Sequence, residues 1–408
     1  MAGVVRQEQT FQQGLEALNP AADDFIPQVV SLILRSARAA RASDVHLMPQ
    51  PSALVMQWRI DGVLQTIAAF DRDLAPRIIA RLKVISGLLT YRTDLPQEGR
   101  VAREYSEEEV RVTTFPSLYG EKAAIRLFAE SDSLQRLSQL GLQAEIEARL
   151  SLELNATAGV ILLTGPSGSG KTTTAYACLR DILSVSRGTR CLMTLEDPIE
   201  VAIDGVTQSQ VRPAAGFDLT TGVRSLMRQD PDVILVGEIR DPATAEATFQ
   251  AALTGHLVIT TFHAGSSVEA VARLQEMQLE PYLIRSALKL VVCQRLLRRC
   301  CPACGSSAGF EKTAELPDKQ RPVSPPSTSC STCGSSGYFG RLVLAEMLDP
   351  DIPEIARALL KQTDSRDLGS LAESCGMKTL RQVAADAVSG GLTSHAEVLR
   401  VLGSGAFT

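Results

Sequence analysis

The stretch GVILLTGPSGSGKTTT, residues 159–174, decides the fold class of this 408-residue chain. It begins as an apolar run of strand length and continues into the pattern G-x-x-x-x-G-K-[ST], which joins a buried strand to a helix. Glycines let backbone N–H groups turn inward around phosphate oxygens, and the helix adds the positive end of its dipole. We therefore predict a phosphate-binding loop formed by Gly165, Pro166, Ser167, Gly168, Ser169, Gly170, Lys171, Thr172 and Thr173.

Two side chains of this loop carry specific chemistry. Lys171 is expected to reach the β- and γ-phosphates of a nucleoside triphosphate, and the Thr172 hydroxyl to ligate Mg²⁺. The alternative is a chance match in a loop rich in glycine and serine. The strand-like run before the motif and the apolar helical pattern after it favour the functional interpretation.

Three further apolar runs follow the loop: CLMTLEDP, DVILVGEIRD and HLVITTFHAG. Helical stretches separate them. Continuous apolar strands that alternate with helices predict a parallel sheet covered on both faces, and hence an α/β fold.

Acidic residues follow two of these strands. Glu196, Asp197 and Glu200 come after one strand, and Glu238 after another. Ligands of open parallel sheets bind beyond the carboxyl ends of the strands, so the two acidic groups are expected to meet at one crevice. A nucleotide hydrolase needs such groups to position water and to support the metal, although Gly237 stands where a metal-binding aspartate is usual. The alternative is that these acids cap the helices that follow.

Two histidines, His256 and His263, flank the strand run LVITTF. They lie near opposite ends of one strand and are not expected to bind one metal together. His263, at the carboxyl end, could sense the γ-phosphate. A structural role is the alternative for each.

The rest of the chain reads as smaller units around this core. A helical pattern starts at Phe25, and short strands follow, with an Asp-Gly hairpin signal in RIDGV and further strands in VAREY, EVRVTTFP and KAAIRLF. The predicted segments are a flexible leader (1–24), a small α+β domain (25–130), a linker and helix (131–155), the nucleotide-binding core (156–295), a cysteine subdomain (296–345) and a helical region (346–408).

Composition and sequence pattern argue against several functional classes of protein. The net charge of −5 and the aromatic content of 4% argue against a nucleic-acid-binding protein. The N-terminal stretch is polar and does not read as a signal peptide. No uncharged apolar run approaches the ~18 residues that span a bilayer. We expect a cytosolic protein whose contact with a membrane is made through partners.

Four cysteines have zinc-ligand spacing. RRCCPACG (298–305) and CSTC (330–333) give two Cys-x₂-Cys pairs with 25 residues between them. Within the Cys300–Cys301 doublet, Cys301 has the two-residue spacing to Cys304, and Pro302 inside the turn favours it. We predict a structural zinc site of Cys301, Cys304, Cys330 and Cys333, and a disulfide or unligated thiols as the alternative.

Taken together, the motifs resemble the secretion ATPases of type II secretion and type IV pilus assembly, over roughly residues 25–400. GPSGSGKTTT is similar to the Walker A motif of that family, TLEDPIE to its aspartate box, RQDPDVILVGEIRD to its Walker B motif and TGHLVITTFHAG to its histidine box. ASDVHLMP resembles the N-terminal ASDIH signature. PQEGR and VRVTTFPSLYGEKAAIRL resemble the arginine-bearing strands, and QRLLRRCCPAC the start of the metal-binding insert.

The resemblance implies a RecA-like P-loop motor domain, a small α+β, PAS-like domain before it and a homo-hexameric ring that hydrolyses ATP with Mg²⁺. Glu238 would activate or orient the water, with Glu196 and Glu200 in support. Arginines of the N-terminal domain would approach the phosphates, with surface salt bridges as the alternative. The matching positions are Arg100, Arg111 and Arg126.

The family couples hydrolysis to an inner-membrane platform protein, so that pilin-like subunits are added to a filament. The four-cysteine insert implies the assembly side of the family, at the cytoplasmic face of the inner membrane. HAGSS stands where His-Thr-Asn is usual. Many relatives dock to a membrane partner through an extra N-terminal domain, and we expect no counterpart of it in this sequence, so the resemblance does not imply a particular docking partner. The alternatives are a RecA-like nucleic-acid translocase and a non-catalytic ATP-binding ring scaffold.

Overall fold

Two compact units make up the chain. The first unit comprises Met1–Ser131 with Arg298–Arg341, and the second comprises Asp132–Leu297 with Leu342–Thr408. The computed structural model describes residues 2–106, 109–127, 136–304, 330, 332–334 and 336–403, with side chains from residue 8 onward. Within these ranges, no helix combines the length and apolar composition needed to cross a bilayer.

The first unit is built on a six-stranded antiparallel sheet with strand order β3-β2-β1-β6-β5-β4. Helices accompany the sheet, and the apolar face of the second one is buried because its apolar residues recur every three or four positions. The elements are α1 (Ala2–Glu16), α2 (Phe25–Ala39), β1 (Ala42–Pro49), β2 (Ala53–Ile60), β3 (Val63–Asp71), α3 (Ala75–Ile85), β4 (Gln97–Arg100), β5 (Val110–Ser117) and β6 (Gly120–Leu127).

The leader expected to be flexible is a helix over most of its length. Phe11 of α1 is fully buried. Its ring meets Trp58 edge-on at 6.0 Å between centroids and Phe70 at 6.1 Å. The prediction of a loose leader was therefore wrong for Ala2–Glu16, because one aromatic side chain in a polar segment gives no periodic signal.

Two local predictions in this unit have different outcomes. The Asp-Gly hairpin is present, and Asp61 and Gly62 both have positive φ values of 47° and 82°, as a tight two-residue turn requires. The predicted strand VAREY was wrong. The strand ends at Arg100, and the following residues turn, with the Ala102 N–H bonded at 2.9 Å to the Ile85 carbonyl.

The second unit is built on a seven-stranded sheet of order β13-β12-β7-β11-β10-β8-β9. Its elements are α4 (Ala144–Glu153), β7 (Gly159–Thr164), α5 (Lys171–Ser186), β8 (Leu192–Glu196), β9 (Thr207–Gln210), α6 (Leu219–Leu226), β10 (Val233–Val236), α7 (Pro242–Leu253), β11 (Leu257–Phe262), α8 (Ser267–Glu276), α9 (Pro281–Ala287), β12 (Leu288–Cys300), β13 (Tyr338–Leu348), α10 (Pro353–Leu360), α11 (Ser365–Ser374), α12 (Leu380–Ser389) and α13 (His395–Leu402).

The centre of this sheet is parallel and covered on both faces, which confirms the predicted α/β fold. β7 pairs in parallel with β11 and β12, and β10 pairs in parallel with β8 and β11. Alternate residues of β7 enter two separate apolar cores: Val160 and Leu162 enter one, and Ile161 and Leu163 the other. A strand buried on both sides reads as a continuous apolar run, as the sequence does here.

Parallel pairing has a direct consequence for the site. The carboxyl ends of β7, β8, β10 and β11 lie along one edge of the sheet. The phosphate-binding loop follows β7, and the acidic and histidine motifs follow or close the other three strands. The fold therefore brings four separate sequence motifs to one edge.

Candidate functional site

The glycine-rich loop after β7 has a backbone that strongly favours glycine at three points. Gly165, Gly168 and Gly170 have φ values of 145°, 75° and 92°. A Cβ on Gly165 would lie 2.5 Å from the Ser169 Oγ and 2.6 Å from the Gln294 carbonyl oxygen. The loop thus closes tightly before α5 begins, with its backbone N–H groups at the helix N-terminus.

Lys171 opens α5 and lies inside this loop. Its side chain is buried, and its Nζ donates to the carbonyl oxygens of Gly165 at 2.8 Å and Pro166 at 2.9 Å. Burial lowers the pKa of the Lys171 ammonium, and the nearby Glu238 carboxylate opposes this shift. The loop therefore holds a partly desolvated cation, which favours binding of an anionic group.

The loop also contains a polar atom that a ligand would satisfy. Within the described residues the Ser169 Oγ is buried without a hydrogen-bond partner. The hydroxyl-bearing Thr172 and Thr173 follow Lys171 and stay partly accessible. This donor set of backbone amides, one ammonium and hydroxyls fits a Mg²⁺-bound polyphosphate.

Glu196, at the end of β8, is held by a network of its own. Its Oε1 accepts from the Thr194 Oγ1 at 2.6 Å and the Gln208 Nε2 at 3.1 Å, and its Oε2 accepts from the Tyr176 hydroxyl. The side chain is only 3% exposed. In this structure the carboxylate is therefore oriented by protein donors on both oxygens.

Tyr176 links the helix of the phosphate loop to the acidic motif. Its hydroxyl donates to Glu196 and accepts the backbone N–H of Glu200 at 3.2 Å. Burial and the hydrogen bond to Glu196 raise the pKa of the Tyr176 phenol, which keeps it a donor. Sequence reasoning missed Tyr176. The signal that could have found it is its position about one turn into the helix that follows the phosphate loop.

We expect Tyr176→Phe to lower turnover of a bound nucleotide about 10-fold, with little change in KM, because Glu196 and Glu200 lose a shared anchor. Loss of a hydrogen bond to a charged group should also lower the free energy of unfolding by about 1.5–3 kcal/mol. Steady-state hydrolysis and urea unfolding measure the two effects. Tyr282→Phe, at an exposed tyrosine of α9, is the matched control and should change neither. Equal behaviour of the two variants would contradict the role of the hydroxyl.

Glu238, just beyond β10, is the centre of an ion-pair cluster. It pairs with the Arg240 guanidinium, which also contacts Asp197 with 2.9 Å between Nη1 and Oδ2. The His263 Nε2 lies 3.4 Å from the other Glu238 oxygen. The structure thus brings together Glu238 and His263, each of which the sequence placed at the carboxyl end of a strand. It adds Arg240 to this group.

Gly237 has a structural reason for its small size. A Cβ there would lie 3.2 Å from the Glu196 Cα and 3.3 Å from the Leu195 carbonyl oxygen. The Gly237 N–H bonds to that same carbonyl at 2.8 Å. β10 therefore approaches β8 too closely at its end for an aspartate without a shift of one strand.

His256 lies at the opposite end of β11 from His263. Its Nδ1 is 2.8 Å from the Ala251 carbonyl oxygen and 3.2 Å from the Thr254 Oγ1. The structure does not bring His256 together with the phosphate loop or the acidic residues, because β11 separates it from the edge where these meet. Its contacts close the turn after α7.

The three predicted arginines form one row across the sheet of the first unit. Arg100 is directly opposite Arg111, and Arg111 is directly opposite Arg126, in adjacent antiparallel strands. Asp44 continues the row on β1, and its carboxylate lies 3.4 Å from the Arg126 Nε. Like charges at directly opposed positions destabilise a sheet, so this row is a concentrated cationic strip that favours an anion.

Carboxylates partly balance this strip. Glu109 pairs with the Nε of Arg100 at 3.3 Å and the Nη2 of Arg111 at 3.5 Å, and Glu98 lies 3.5 Å from the Arg111 Nε. Arg100 and Arg126 remain more than half exposed in their side chains, whereas Arg111 is largely covered. The surface salt bridges considered from the sequence are thus present, and they leave two guanidiniums accessible.

The four predicted zinc ligands lie together in the first unit. The sulfur atoms of Cys301, Cys304, Cys330 and Cys333 are all within 4.8 Å of one another. A tetrahedral ion at ~2.3 Å from each would place sulfurs about 3.8 Å apart. The observed separations are 3.9 Å for Cys301–Cys330 and 3.4 Å for Cys304–Cys333. Backbone N–H groups, that of Cys333 first, lower the pKa of the Cys330 thiol to about 6, whereas burial raises the pKa of the Cys304 and Cys333 thiols.

With this geometry established, comparison with known proteins identifies the family. The family model described as "Type II/IV secretion system protein" matches residues 19–400. The chain belongs to this family. The resemblance seen in the sequence motifs is thereby confirmed.

Curated relatives of this family share more than a third of the sequence. The "Type II secretion system protein E" of Dickeya dadantii is 38% identical over 93% of this chain and 76% of its own length. The "Protein transport protein HofB homolog" of Escherichia coli is 38% identical over 92% and 81%. The "Type IV pilus assembly ATPase PilB" of Thermus thermophilus is 36% identical over 96% of this chain but 44% of its own length.

Solved structures agree on the fold. The Legionella pneumophila ATPase DotB is similar with a TM-score of 0.67 at 21% identity, covering 93% of this chain and 97% of that one. The pilus retraction motor PilT with bound ADP gives a TM-score of 0.59 at 22% identity, covering 91% and 96%. These levels of identity support the shared fold, while the secretion-system family is established by the sequence relatives.

Proposed function

We propose that this protein is a Mg²⁺-dependent ATPase that powers assembly of a pilus or pseudopilus filament. The observation that carries the proposal is the convergence of the phosphate loop with Glu238 and His263 at one edge of a parallel sheet. The names of the relatives, a type II secretion protein E and a pilus assembly ATPase, support the same activity and system.

The chemistry divides among the residues as follows. Lys171 and the loop amides hold the β- and γ-phosphates, and Thr172 ligates the metal. Mg²⁺ neutralises charge on the phosphate oxygens when it is bound. Glu238 accepts a proton from the attacking water, and His263, whose Nε2 is 3.4 Å from the Glu238 carboxylate, orients it.

The acidic motif at β8 has a supporting role in this proposal. Glu196 already accepts hydrogen bonds on both of its oxygens, so it fixes the wall of the site, and the exposed Glu200 is assigned to metal-bound water. The role proposed for the arginine strip of the first unit is to neutralise γ-phosphate charge. A guanidinium fork suits this role. The exposed members are Arg100 and Arg126, with Arg111 between them.

The four-cysteine cluster is proposed to hold one structural zinc ion. Four thiolates fill a tetrahedral shell and leave no open position for chemistry. Zinc therefore holds the ends of two chain segments together, and Cys300, which lies outside the cluster of four sulfurs, does not ligate. The insert supports a role for this protein on the assembly side of its family.

The proposed assembly is a homo-hexamer that works at the cytoplasmic face of the inner membrane. Its partners would be an inner-membrane platform protein and a cytoplasmic docking partner. The support is the type II secretion and pilus assembly systems named for the relatives. No observation favours nucleic acid as a partner, since the net charge is −5.

An isosteric change at Glu238 tests the activity. Glu238→Gln should lower ATP hydrolysis about 100-fold while ATP binding persists, because the amide cannot accept the proton of the attacking water. Phosphate release and binding of a fluorescent ATP analogue measure the two quantities. Glu246→Gln, on the exposed side of α7, is the matched control and should hydrolyse ATP as wild type does. Unchanged hydrolysis in Glu238→Gln would overturn the assigned base.

A chromosomal Glu238→Gln strain tests the cellular role. It should lose either surface pili or secreted exoproteins, and the phenotype that is lost identifies the filament system. Normal levels of both, with the variant as sole copy, would overturn the proposed function.

A further inference from the structure

An arginine that the proposed mechanism does not use lies behind the phosphate loop. Arg295 belongs to β12, which pairs in parallel with β7 and places Cys293 opposite Thr164, the last residue of β7. Arg295 is 9% exposed. Its described hydrogen bonds go to two carbonyl oxygens and a thiol sulfur, and none goes to a carboxylate. Burial of a charge without an opposite charge is costly, so this residue calls for an explanation.

Arg295 joins two segments of the site. Its Nη2 donates to the Gly265 carbonyl oxygen at 2.6 Å, and its Nη1 donates to the Gln294 carbonyl oxygen at 2.9 Å. Gly265 lies in the histidine loop, residues 263–266, which connects β11 to α8. The Gln294 carbonyl oxygen would lie 2.6 Å from a Cβ on Gly165, so it packs directly behind the phosphate loop. One planar guanidinium therefore ties the histidine loop to the strand that supports the phosphate loop.

The histidine loop carries a side chain that packing alone does not fix. The His263 side chain is 48% exposed, and its Nε2 lies 3.4 Å from the Glu238 carboxylate. Two contacts of the loop come from α8, which follows it directly: Arg273 donates to the His263 carbonyl, and Glu269 accepts a loop N–H at 2.7 Å. These contacts would move together with the loop and α8. The contact from Arg295 differs from them, because it starts from the sheet.

The charge of Arg295 also reaches the phosphate loop. Burial is the main cause that lowers the pKa of the Lys171 ammonium, and the positive charge of Arg295 acts in the same direction. The Lys171 Nζ, like the Arg295 guanidinium, donates to carbonyl oxygens. The two buried cations therefore repel each other, and a polyphosphate in the loop would attract both. Filling of the loop should thus stabilise Arg295 in its observed position.

We propose that Arg295 is a positioning residue, which holds the His263 imidazole against Glu238 when the phosphate loop is filled. This inference rests on the proposed function, in which Glu238 accepts a proton from the attacking water and His263 orients it. A misplacement of about 1 Å near the reacting groups can cost about 100-fold in rate. Loss of the tie should therefore lower turnover although no group that contacts the nucleotide has been removed.

A double-mutant cycle tests the route through His263. Arg295→Met keeps the length of the side chain but removes its charge and its donors, and Arg295→Lys keeps the charge but lacks the planar fork. We expect kcat for ATP hydrolysis to fall at least 10-fold in Arg295→Met and about 5-fold in Arg295→Lys, with KM of the lysine variant within about twofold of wild type.

The second arm of the cycle uses a His263→Ala chain. Either Arg295 change should lower kcat less than about twofold in this background, because the group that Arg295 positions is gone. Release of radiolabelled phosphate at saturating Mg²⁺ and ATP resolves the low rates. Arg295→Lys completes the cycle if Arg295→Met does not fold.

Arg366→Met is the matched control. Arg366 is exposed on α11 in the same unit, away from the strand ends that form the site. The variant should hydrolyse ATP as wild type does. Thermal unfolding verifies that each variant is folded at the temperature of the assay.

Hydrogen exchange measures the tie itself, without hydrolysis. In the nucleotide-free full chain, amides of the histidine loop should exchange at least about threefold faster in either Arg295 variant, because the Gly265 carbonyl loses its guanidinium partner. Amides of α11 should exchange as they do in wild type. Mass spectrometry of peptides that cover the two segments provides both rates.

Two results would overturn the inference and leave the proposed function intact. The first is a kcat that the Arg295 changes leave unaltered, or lower equally with and without His263, since Arg295 would then not act through the imidazole. The second is wild-type exchange of the histidine loop in a folded Arg295→Met chain. Absence of ATP hydrolysis in the wild-type chain is a different result, which would overturn the proposed function and the inference with it.

Discussion

Lys171→Ala is expected to reduce kcat/KM for ATP hydrolysis by about 1,000-fold or more, to the detection limit. The ammonium lies inside the loop, within 2.9 Å of two loop carbonyls, and is buried. Its removal takes away both phosphate binding and stabilisation of charge that develops on the transferred group, and a single lost electrostatic donor alone costs about 10²–10³-fold. Malachite-green phosphate release with saturating Mg²⁺ measures the effect.

Lys378→Ala is the matched control for this experiment. Lys378 is largely exposed and pairs with Asp386 on the surface at 3.7 Å, so its loss should leave hydrolysis unchanged. Thermal unfolding of both variants without nucleotide should stay close to wild type. If Lys171→Ala retained more than a tenth of wild-type turnover, the loop would not be the catalytic phosphate site.

Cys301→Ser is expected to abolish stoichiometric zinc binding, from about one ion per chain to none. Cys301 is 1% exposed, and its sulfur lies 3.9 Å from the sulfur of Cys330. Binding of a structural zinc ion is worth roughly 10–16 kcal/mol in small zinc domains, so the segment around the cluster should lose protection from proteolysis. Metal analysis and limited proteolysis measure the two effects.

Cys300→Ser separates the two members of the doublet. Cys300 is buried but lies outside the group of four sulfurs that approach one another. The variant should therefore retain one zinc ion per chain. Loss of zinc in Cys300→Ser together with retention in Cys301→Ser would reverse the ligand assignment.

Much of the site could be predicted because its signals are local. The phosphate loop is a contiguous motif, and the carboxyl ends of parallel strands share one edge, so the sequence predicted that the acidic residues after two strands would meet at one crevice. In the structure Asp197 and Glu238 both contact Arg240. The spacing and turn chemistry of CPAC also selected Cys301 over its neighbour. The sequence also placed His256 and His263 near opposite ends of one strand, and in the structure His256 lies at the end away from the phosphate loop.

The remaining features depend on long-range contacts that leave no periodic trace. The hydroxyl of Tyr176 meets Glu196 twenty positions away, and Arg240 meets Asp197 forty-three positions away. Strand register alone places Arg100 beside Arg111. The contacts of Phe11 in α1 with Trp58 and Phe70 are likewise long-range. Propensity and pattern report neighbours along the chain, and these pairs form only after the sheets close.

The convergence of four strand ends at one edge also concerns how the protein acquires its activity. The site at this edge combines four separate segments, which contribute Gly165, Glu196, Glu238 and His263. The site is therefore complete only when the distant strands of the second unit have paired. Such pairings form late, because the entropy of loop closure is lost before the contacts between distant strands can stabilise the chain. ATP will therefore bind only chains that have matured, and by mass action it will shift newly made protein toward that state. Binding of ATP thus stabilises the folded enzyme relative to chains that have not finished folding.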